Sequence, residues 1–233
     1  MVIAFGIFVV FLLALLFTWL SSRGKFMFLD NVVHERAQVA NPWHKYRTEG
    51  NSLFVWSFCY GLLVLAIVIL YLVVCFSSLY SLYESSVDTA VLIVPAVLMI
   101  LGLLAIVILA SYVELLLYDF VVPIMYKYRI TTLKALRMFL NLFSSHFLYF
   151  VGYGFLILFL SILIFVGIVI VGFLTCCIGF VLLIIPYVNA VVLLPISYTL
   201  RAFSVEFLEQ FGPEYHIFPR PETSQIVTET KQT

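Results

Sequence analysis

The chain contains five long runs of residues without a single Asp, Glu, Lys or Arg, and these runs decide what it can fold into. An α-helix needs about 20 predominantly apolar residues to cross the hydrocarbon core of a bilayer. In lipid, every backbone N–H and C=O group must bond within the protein, which restricts spanning segments to helices or closed barrels. The runs therefore predict an all-α integral membrane protein with five transmembrane helices, at residues 2–20, 52–76, 89–113, 146–173 and 180–200.

The composition agrees with a membrane location and excludes other classes of protein. Apolar residues make up 64% of the chain and charged residues 10%, whereas soluble domains average about 45–50% and about 25%. The formal net charge is zero, so nucleic acid is not expected as a partner. The four cysteines form no C-x-x-C pair and have no histidine at metal-binding spacing, so neither a metal site nor a cofactor is predicted.

The first polar segment, residues 23–51, is predicted to contain an amphipathic helix that lies in the membrane interface. Its apolar residues recur at three- and four-residue steps, which places them on one face of a helix. The dipeptide Asn41-Pro42 is expected to end this helix, because the residue before a proline disfavours helical geometry. The residues of the apolar face are Phe26, Leu29, Val33, Ala37 and Ala40.

The second basic segment, residues 121–145, separates the third apolar run from the fourth. It is predicted to form a loop followed by a second interfacial amphipathic helix, again on the cytoplasmic side. The polar face of that helix holds Thr131, Lys134, Arg137 and Asn141. The apolar face holds Ile130, Leu133, Leu136, Leu140 and Phe143.

The positions of the basic residues predict the orientation. Consecutive spans alternate sides, and in one of the two orientations all twelve Lys and Arg residues fall on the same face of the membrane. Basic loops are retained in the cytoplasm, so we expect a multi-pass protein of the cell membrane with its N-terminus outside and its C-terminus inside. Residues 1–211 would form the membrane domain and residues 212–233 a disordered cytoplasmic tail. Residues 2–20 are expected to be a retained helix, because no basic residue precedes them.

A weak internal repeat emerges when the chain is displaced by ninety-three residues. Thr18-Trp19 then falls on Ser111-Tyr112, Arg36 on Arg129, and Tyr60-Gly61 on Tyr153-Gly154. Each half would contain a span, a basic interfacial helix and a second span. Such dipeptides are common at membrane interfaces, so the sequence leaves duplication and shared membrane composition as alternatives.

Three stretches carry a resemblance to known proteins. They are VVPIM with LKALRMFLNLFSSHFLYFVGYG, the hairpin TCCIGFVLLIIPYVNAVVLLP, and the exit RAFSVEFLEQFGPEY. They resemble uncharacterised bacterial membrane proteins and are similar to the membrane domain attached to some glycerophosphodiester phosphodiesterases. The resemblance covers most of residues 24–216 and implies a bacterial inner-membrane protein with basic cytoplasmic connections. Relatives of that kind have six helices, one more than this chain, and the soluble phosphodiesterase domain is absent, so no catalysis is implied.

Two sets of residues are candidates for substrate binding. Glu114 and Asp119 lie at the inner end of the third span, where ionisable groups suggest function but also anchor structure by pairing with Lys127 or Arg129. Asn189 lies between Pro186 and Pro195 in the fifth span, where two prolines would leave carbonyl groups free for an ion or substrate. The alternative for Asn189 is a packing kink satisfied by a neighbouring helix.

A third set of residues is predicted to contact lipid headgroups. It combines aromatic and basic side chains near the two interfacial segments, which attract anionic headgroups. The set comprises Trp43, His44, Lys45, Arg47, Arg129, Lys134 and Arg137. The four histidines match no zinc or nucleophile motif, so no catalytic residue is predicted.

These observations favour a non-enzymatic membrane protein, an accessory or scaffold module. Its expected partners are membrane lipids and either another membrane protein or further copies of itself. One alternative is a transporter of an apolar or lipid substrate, with the helix of Asn189 as its moving part. The other is a lipid-modifying enzyme that uses His34 or His44 at the inner headgroup level.

Overall fold

The computed structural model describes residues 2–35, 40–84, 89–175 and 184–218, and all regular structure within them is helical. The described residues form eight α-helices: α1 (Val2–Val33), α2 (Ala40–Lys45), α3 (Arg47–Glu84), α4 (Thr89–Leu116), α5 (Val122–Tyr128), α6 (Thr132–Ser145), α7 (Phe147–Leu174) and α8 (Pro186–Glu209). A π-helical turn, Leu117–Val121, joins α4 to α5. A 3₁₀ turn, Pro213–Tyr215, follows α8.

In the part of the chain that the structure describes, five helical stretches are long and apolar enough to cross a membrane, which confirms the predicted fold class. They are Phe5–Val33, Arg47–Leu82, Ile93–Tyr128, Phe147–Leu174 and Val188–Glu209. Each contains one of the five predicted apolar runs or most of it. The helices extend beyond the runs because polar residues at their ends, such as Arg47 and Glu209, continue the same helical geometry.

The first predicted interfacial helix is not a separate element. Helix α1 continues without interruption to Val33, and Phe26, Leu29 and Val33 are buried against protein. Three of the five residues of the predicted apolar face are therefore buried, and α1 packs on α3 and α5, whereas Ala40 is exposed at the start of α2. Asn41-Pro42 does not end a helix either, because it lies in the first turn of α2, where a proline is tolerated. Ala37 lies outside the described residues.

The loop predicted at the start of the second basic segment is also helical. The π-helical turn and α5 carry the third long helix on to Tyr128, and Arg129 ends it in the left-handed conformation with φ 53°. Helix α6 is present as predicted, but its buried residues are Thr132, Ala135, Phe139 and Leu142. Leu133 and Leu140 of the predicted apolar face are exposed.

The C-terminal part agrees with the prediction before Gly212 and differs from it afterwards. Helix α8 continues past the expected end of the span at Leu200 to Glu209, and the sequence also predicts a helix over residues 202–211. The residues after Gly212 do not begin a disordered tail, because Glu209 Oε1 accepts hydrogen bonds from the backbone N–H groups of Ile217 and Phe218 at 2.6 and 2.7 Å. Residues 176–183, with the predicted turn and the start of the fifth span, lie outside the described residues, as do residues 219–233.

The buried side chains gather at one end of the helix bundle, called the basic end because Arg23, Lys45, Arg129 and Arg201 lie there. An aromatic group from the π-helical turn, α6, α7 and α8 fills its centre, with ring centroids 4.8–6.0 Å apart. These rings are Phe120, Phe139, Phe150, Tyr153 and Phe207. Away from this end the spans are exposed, and Ile100 and Phe76 expose 67% and 75% of their surface.

Tyrosine hydroxyls join the spans beyond the core. Tyr60 and Tyr71 of α3 donate to the carbonyl oxygens of Ala110 and Met99 in α4, each at 2.9 Å. Tyr112 of α4 donates to the carbonyl oxygen of Phe150 in α7 at 3.1 Å. In lipid, where the hydrophobic effect does not drive helices together, such bonds and close contacts hold a bundle.

Candidate functional site

Asp30, near the end of α1, is fully buried and is the centre of the first polar cluster at the basic end. Its Oδ1 accepts hydrogen bonds from the hydroxyls of Tyr46 at 3.0 Å and Tyr126 at 2.9 Å. His34 Nδ1 lies 3.6 Å and Lys45 Nζ 4.0 Å from the same oxygen. A buried carboxylate is tolerated only when it is paired and hydrogen-bonded, so Asp30 ties together α1, α5 and the junction between α2 and α3.

Arg129 and Tyr46 extend this cluster towards the surface. The guanidinium of Arg129 lies 4.0 Å from the centroid of the Tyr46 ring. Its Nη1 donates to the Lys45 carbonyl oxygen at 2.8 Å and to Glu49 Oε1 at 3.1 Å. Burial raises the pKa of the Tyr46 hydroxyl. The phenol therefore stays protonated and remains a hydrogen-bond donor to Asp30.

Asp119 is the centre of the second polar cluster. It lies in the π-helical turn, an irregularity often found at functional positions. Tyr153 donates to Asp119 Oδ2 at 2.9 Å, and Arg201 Nη1 lies 3.7 Å from Oδ1. Arg201 Nη1 also donates to the Tyr118 carbonyl oxygen at 2.6 Å. Within the described part of the chain, Nε and Nη2 of this buried arginine have no hydrogen-bond partner.

Arg23 joins the start of α3 to α1. Its guanidinium carbon lies 4.4 Å from the Trp19 ring and 5.1 Å from the Trp43 ring. Its Nη2 donates to Asn51 Oδ1 at 3.0 Å. Aromatic faces attract cations most strongly where water is excluded, so this arginine acts as a structural bridge.

A cavity of about 560 Å³ lies between α1, α3 and α4, next to the basic end. One end carries the charged side chains of Lys25 and Glu114, and the other is apolar. Six further side chains supply hydroxyl groups: Thr18, Ser21, Ser22, Ser57, Tyr60 and Ser111. This volume falls in the range of about 300–1,000 Å³ that is typical of small-molecule sites. No group of three or more metal-ligating side chains occurs among the described residues.

Comparison with known proteins assigns the chain to a family. The model of a Family of unknown function (DUF7544) matches residues 1–208. The chain belongs to this family. The match includes both polar clusters and the cavity, so the geometry described above lies within the region that defines DUF7544. Among the curated proteins and among the solved structures, no match was found.

These comparisons agree with the expectation of an uncharacterised family, and they do not support similarity to the membrane domain of glycerophosphodiester phosphodiesterases. That resemblance rests on residue stretches in which apolar side chains predominate. Such stretches recur in unrelated membrane helices because lipid imposes the same composition on all of them.

The structure separates the two predicted acidic residues. Asp119 is buried and bound by Tyr153 and Arg201, so it belongs to the internal packing of this DUF7544 protein. Glu114 is exposed and lines the cavity. Neither forms an ion pair with Lys127 or Arg129, the partners suggested by the sequence. Lys127 instead contacts the C-terminal segment, since its Nζ donates to the carbonyl oxygen of Pro213 at 3.4 Å.

The site predicted around Asn189 has one proline inside the helix, and the prediction places two there. Pro186 is the first residue of α8, where a proline removes no helical hydrogen bond. Pro195 lies inside α8, which continues through it to Glu209. A second cavity of about 520 Å³ lies between α7 and α8, but neither Asn189 nor Pro195 is among the described residues that line it.

The predicted headgroup residues divide into two groups. Trp43, Lys45 and Arg129 contact Trp19, Asp30 and Glu49 respectively, and so contribute to internal packing. Lys45 and Arg129 are nevertheless exposed at the surface, and so are the other four residues, which are His44, Arg47, Lys134 and Arg137. His34, considered for catalysis, places Nδ1 3.0 Å from the Asp30 carbonyl oxygen.

Several residues at the centre of this arrangement were not singled out by the sequence. Lys25 and Asp30 lie in the first polar segment and Arg201 follows the fifth apolar run, while Tyr126 and Tyr153 have no predicted role in a site. The signal that could have found the charged ones is their position directly beside long apolar runs, where an ionisable group needs a specific partner.

Proposed function

We propose that this DUF7544 protein is a non-enzymatic integral membrane protein that serves as an accessory or scaffold module in the cell membrane. The observation that carries the proposal is the distribution of buried residues. The packed core is confined to the basic end, while the outer parts of the spans expose their apolar side chains, as in Ile100 and Phe159. Such surfaces are available to lipid and to the spans of another membrane protein or of a second copy.

The polar clusters support a structural role for the basic end. Asp30 and Asp119 are held by tyrosine hydroxyls and by cations of the same chain. Neither carboxylate lines either of the two cavities. Groups that are paired in this way fix the relative positions of helices. A rigid basic end of this kind would present α6 and the segment after α8 to other proteins.

The proposed orientation has the basic end in the cytoplasm and the N-terminus outside. All twelve Lys and Arg residues then lie on the cytoplasmic side, and basic residues near short loops favour retention there. The connection between α3 and α4 carries Glu84 and Asp88 without any basic residue, as expected of an outer connection.

Native mass spectrometry of the protein extracted from its own membrane in a mild detergent tests the scaffold role. We expect a stoichiometric assembly with a second polypeptide or with further copies of the chain. Photocrosslinkers placed at Ile100 and Phe159 should join it to that partner, whereas a crosslinker at the buried Phe120 should not. A bare monomer without such crosslinks would contradict the proposal.

A further inference from the structure

The cavity between α1, α3 and α4 has a charged end and an apolar end. Lys25 and Glu114 mark the charged end, next to the basic end of the bundle, and Phe17, Val64 and Val107 lie deeper in the spans. Val107 and Glu114 are seven residues apart on α4, which corresponds to about 10 Å along the helix. This polarity matches an amphiphile whose headgroup lies at the inner membrane surface.

Lys25 and Glu114 carry opposite charges that no ion pair with another described residue neutralises. Neither forms an ion pair or a side-chain hydrogen bond with another described residue. Lys25 Nζ lies over the Tyr118 ring, 5.4 Å from its centroid, and the side chains of Lys25 and Glu114 both line the cavity. Ionisable groups inside membrane spans are costly unless they meet a partner, and a ligand with both an anionic and a cationic group would supply one for each.

The hydroxyl groups of the cavity favour a phosphate as the anionic group. Thr18 and Ser22 donate to carbonyl oxygens of their own helix, and Tyr60 donates to Ala110. Ser57 differs, because its buried Oγ has no hydrogen-bond partner in the described structure. Ser57 is therefore a free donor on the α3 wall of a cavity that also holds an ammonium group.

We propose that this cavity binds a phospholipid with a primary amine in its headgroup, such as phosphatidylethanolamine. Lys25 and Ser57 bind the phosphate, Glu114 binds the ammonium group, and the apolar end receives the upper part of an acyl chain. Ser21, Ser111 and Glu114 are exposed on the lipid-facing surface of the bundle, so the lipid can enter sideways from the inner leaflet. This site does not depend on the scaffold role.

Native mass spectrometry with defined lipids tests the site. The purified protein is exchanged into equal amounts of phosphatidylethanolamine, phosphatidylcholine and phosphatidylglycerol with identical acyl chains. We expect one retained phosphatidylethanolamine, bound at least tenfold more strongly than the other two lipids. Glu114→Gln should remove the preference for the primary amine, and Lys25→Ala should remove retention of all three.

The control variants are Glu84→Gln and Glu206→Gln, which change exposed charges outside the cavity and should leave retention unchanged. Ser57→Ala removes a hydroxyl that has no hydrogen-bond partner in the described structure, so the variant should fold while lipid retention falls several-fold. It replaces Lys25→Ala in the test if that variant does not fold. Free phosphoethanolamine should not displace the lipid, because it lacks the acyl chain. Displacement by phosphoethanolamine would show that the site binds a headgroup alone. Equal retention of the three lipids by the unchanged protein would overturn the proposal. Unchanged lipid binding in the folded variants Lys25→Ala, Glu114→Gln and Ser57→Ala would overturn it as well.

Discussion

The guanidinium of Arg201 and the carboxylate of Asp119 lie 3.7 Å apart, and both side chains are almost completely buried. Removal of one member of a buried pair leaves the other charge uncompensated, which costs about 3–5 kcal/mol. We expect Asp119→Leu and Arg201→Leu each to lower the thermal unfolding midpoint in mild detergent strongly. The double variant should be more stable than the sum of the two effects predicts. Strictly additive losses would show that the pair is not coupled.

A close approach between α4 and α7 gives a second prediction for single residues. A Cβ atom at Gly154 would collide with the Tyr112 ring, whereas one at Gly152 would meet nothing within 4 Å. We expect Gly154→Ala to lower the free energy of unfolding by about 1–3 kcal/mol. Gly152→Ala is the matched control and should be neutral or stabilising by up to about 1 kcal/mol. Equal effects in thermal unfolding would contradict this helix contact.

For single residues, the sequence predicts which ionisable groups are unusual better than it predicts which residues they contact. Glu114 and Asp119 were recognised as unusual because of their place beside an apolar run. Their different environments follow from the irregular π-helical turn, which directs Asp119 inward towards Tyr153 and Arg201. Those partners lie 34 and 82 positions further along the chain, and helical periodicity alone does not reveal contacts at such distances.

Helix α6 is the element whose environment can be tested most directly. Its core-facing residues are Ala135, Phe139 and Leu142. Leu133 and Leu140 lie on an exposed side of the helix, next to its basic face. We expect this side to touch the membrane surface, as in interfacial helices. A fluorescent label on a cysteine at position 133 or 140 should be quenched by brominated lipids, and one at 134 or 141 by aqueous iodide. The same quenching pattern at all four positions would contradict an interfacial location.

The elements themselves were largely predictable, but not their ends. Long apolar runs specify spans because lipid leaves no other structure for them. The apolar stripe of Phe26, Leu29 and Val33 shows where this reasoning stops. A stripe of that width can face lipid or protein, and the sequence does not distinguish the two. Here the stripe is buried by protein. It belongs to α1, which is one continuous helix of 32 residues.

For the whole molecule, the proposed repeat has one structural counterpart. Glu35 with φ 48° and Arg129 with φ 53° are the two non-glycine residues with left-handed backbone in the described chain, and each follows the end of a long helix. The ninety-three-residue displacement relates position 35 to position 128 and position 36 to position 129. Glu35 and Arg129 therefore miss this register by one position. The later break at His146 has no equivalent, since the corresponding position lies inside α3. Duplication therefore remains a prediction.

The proposed orientation places the basic end in the cytoplasm, and labelling of single cysteines tests it most directly. The four natural cysteines are replaced by alanine, and Glu84→Cys at the end of α3 is compared with Lys134→Cys in α6; both positions are exposed. In intact cells, a membrane-impermeant maleimide should label position 84 at once and position 134 only after permeabilisation. Labelling of position 134 in intact cells, with protection of position 84, would place the basic end outside and contradict the account.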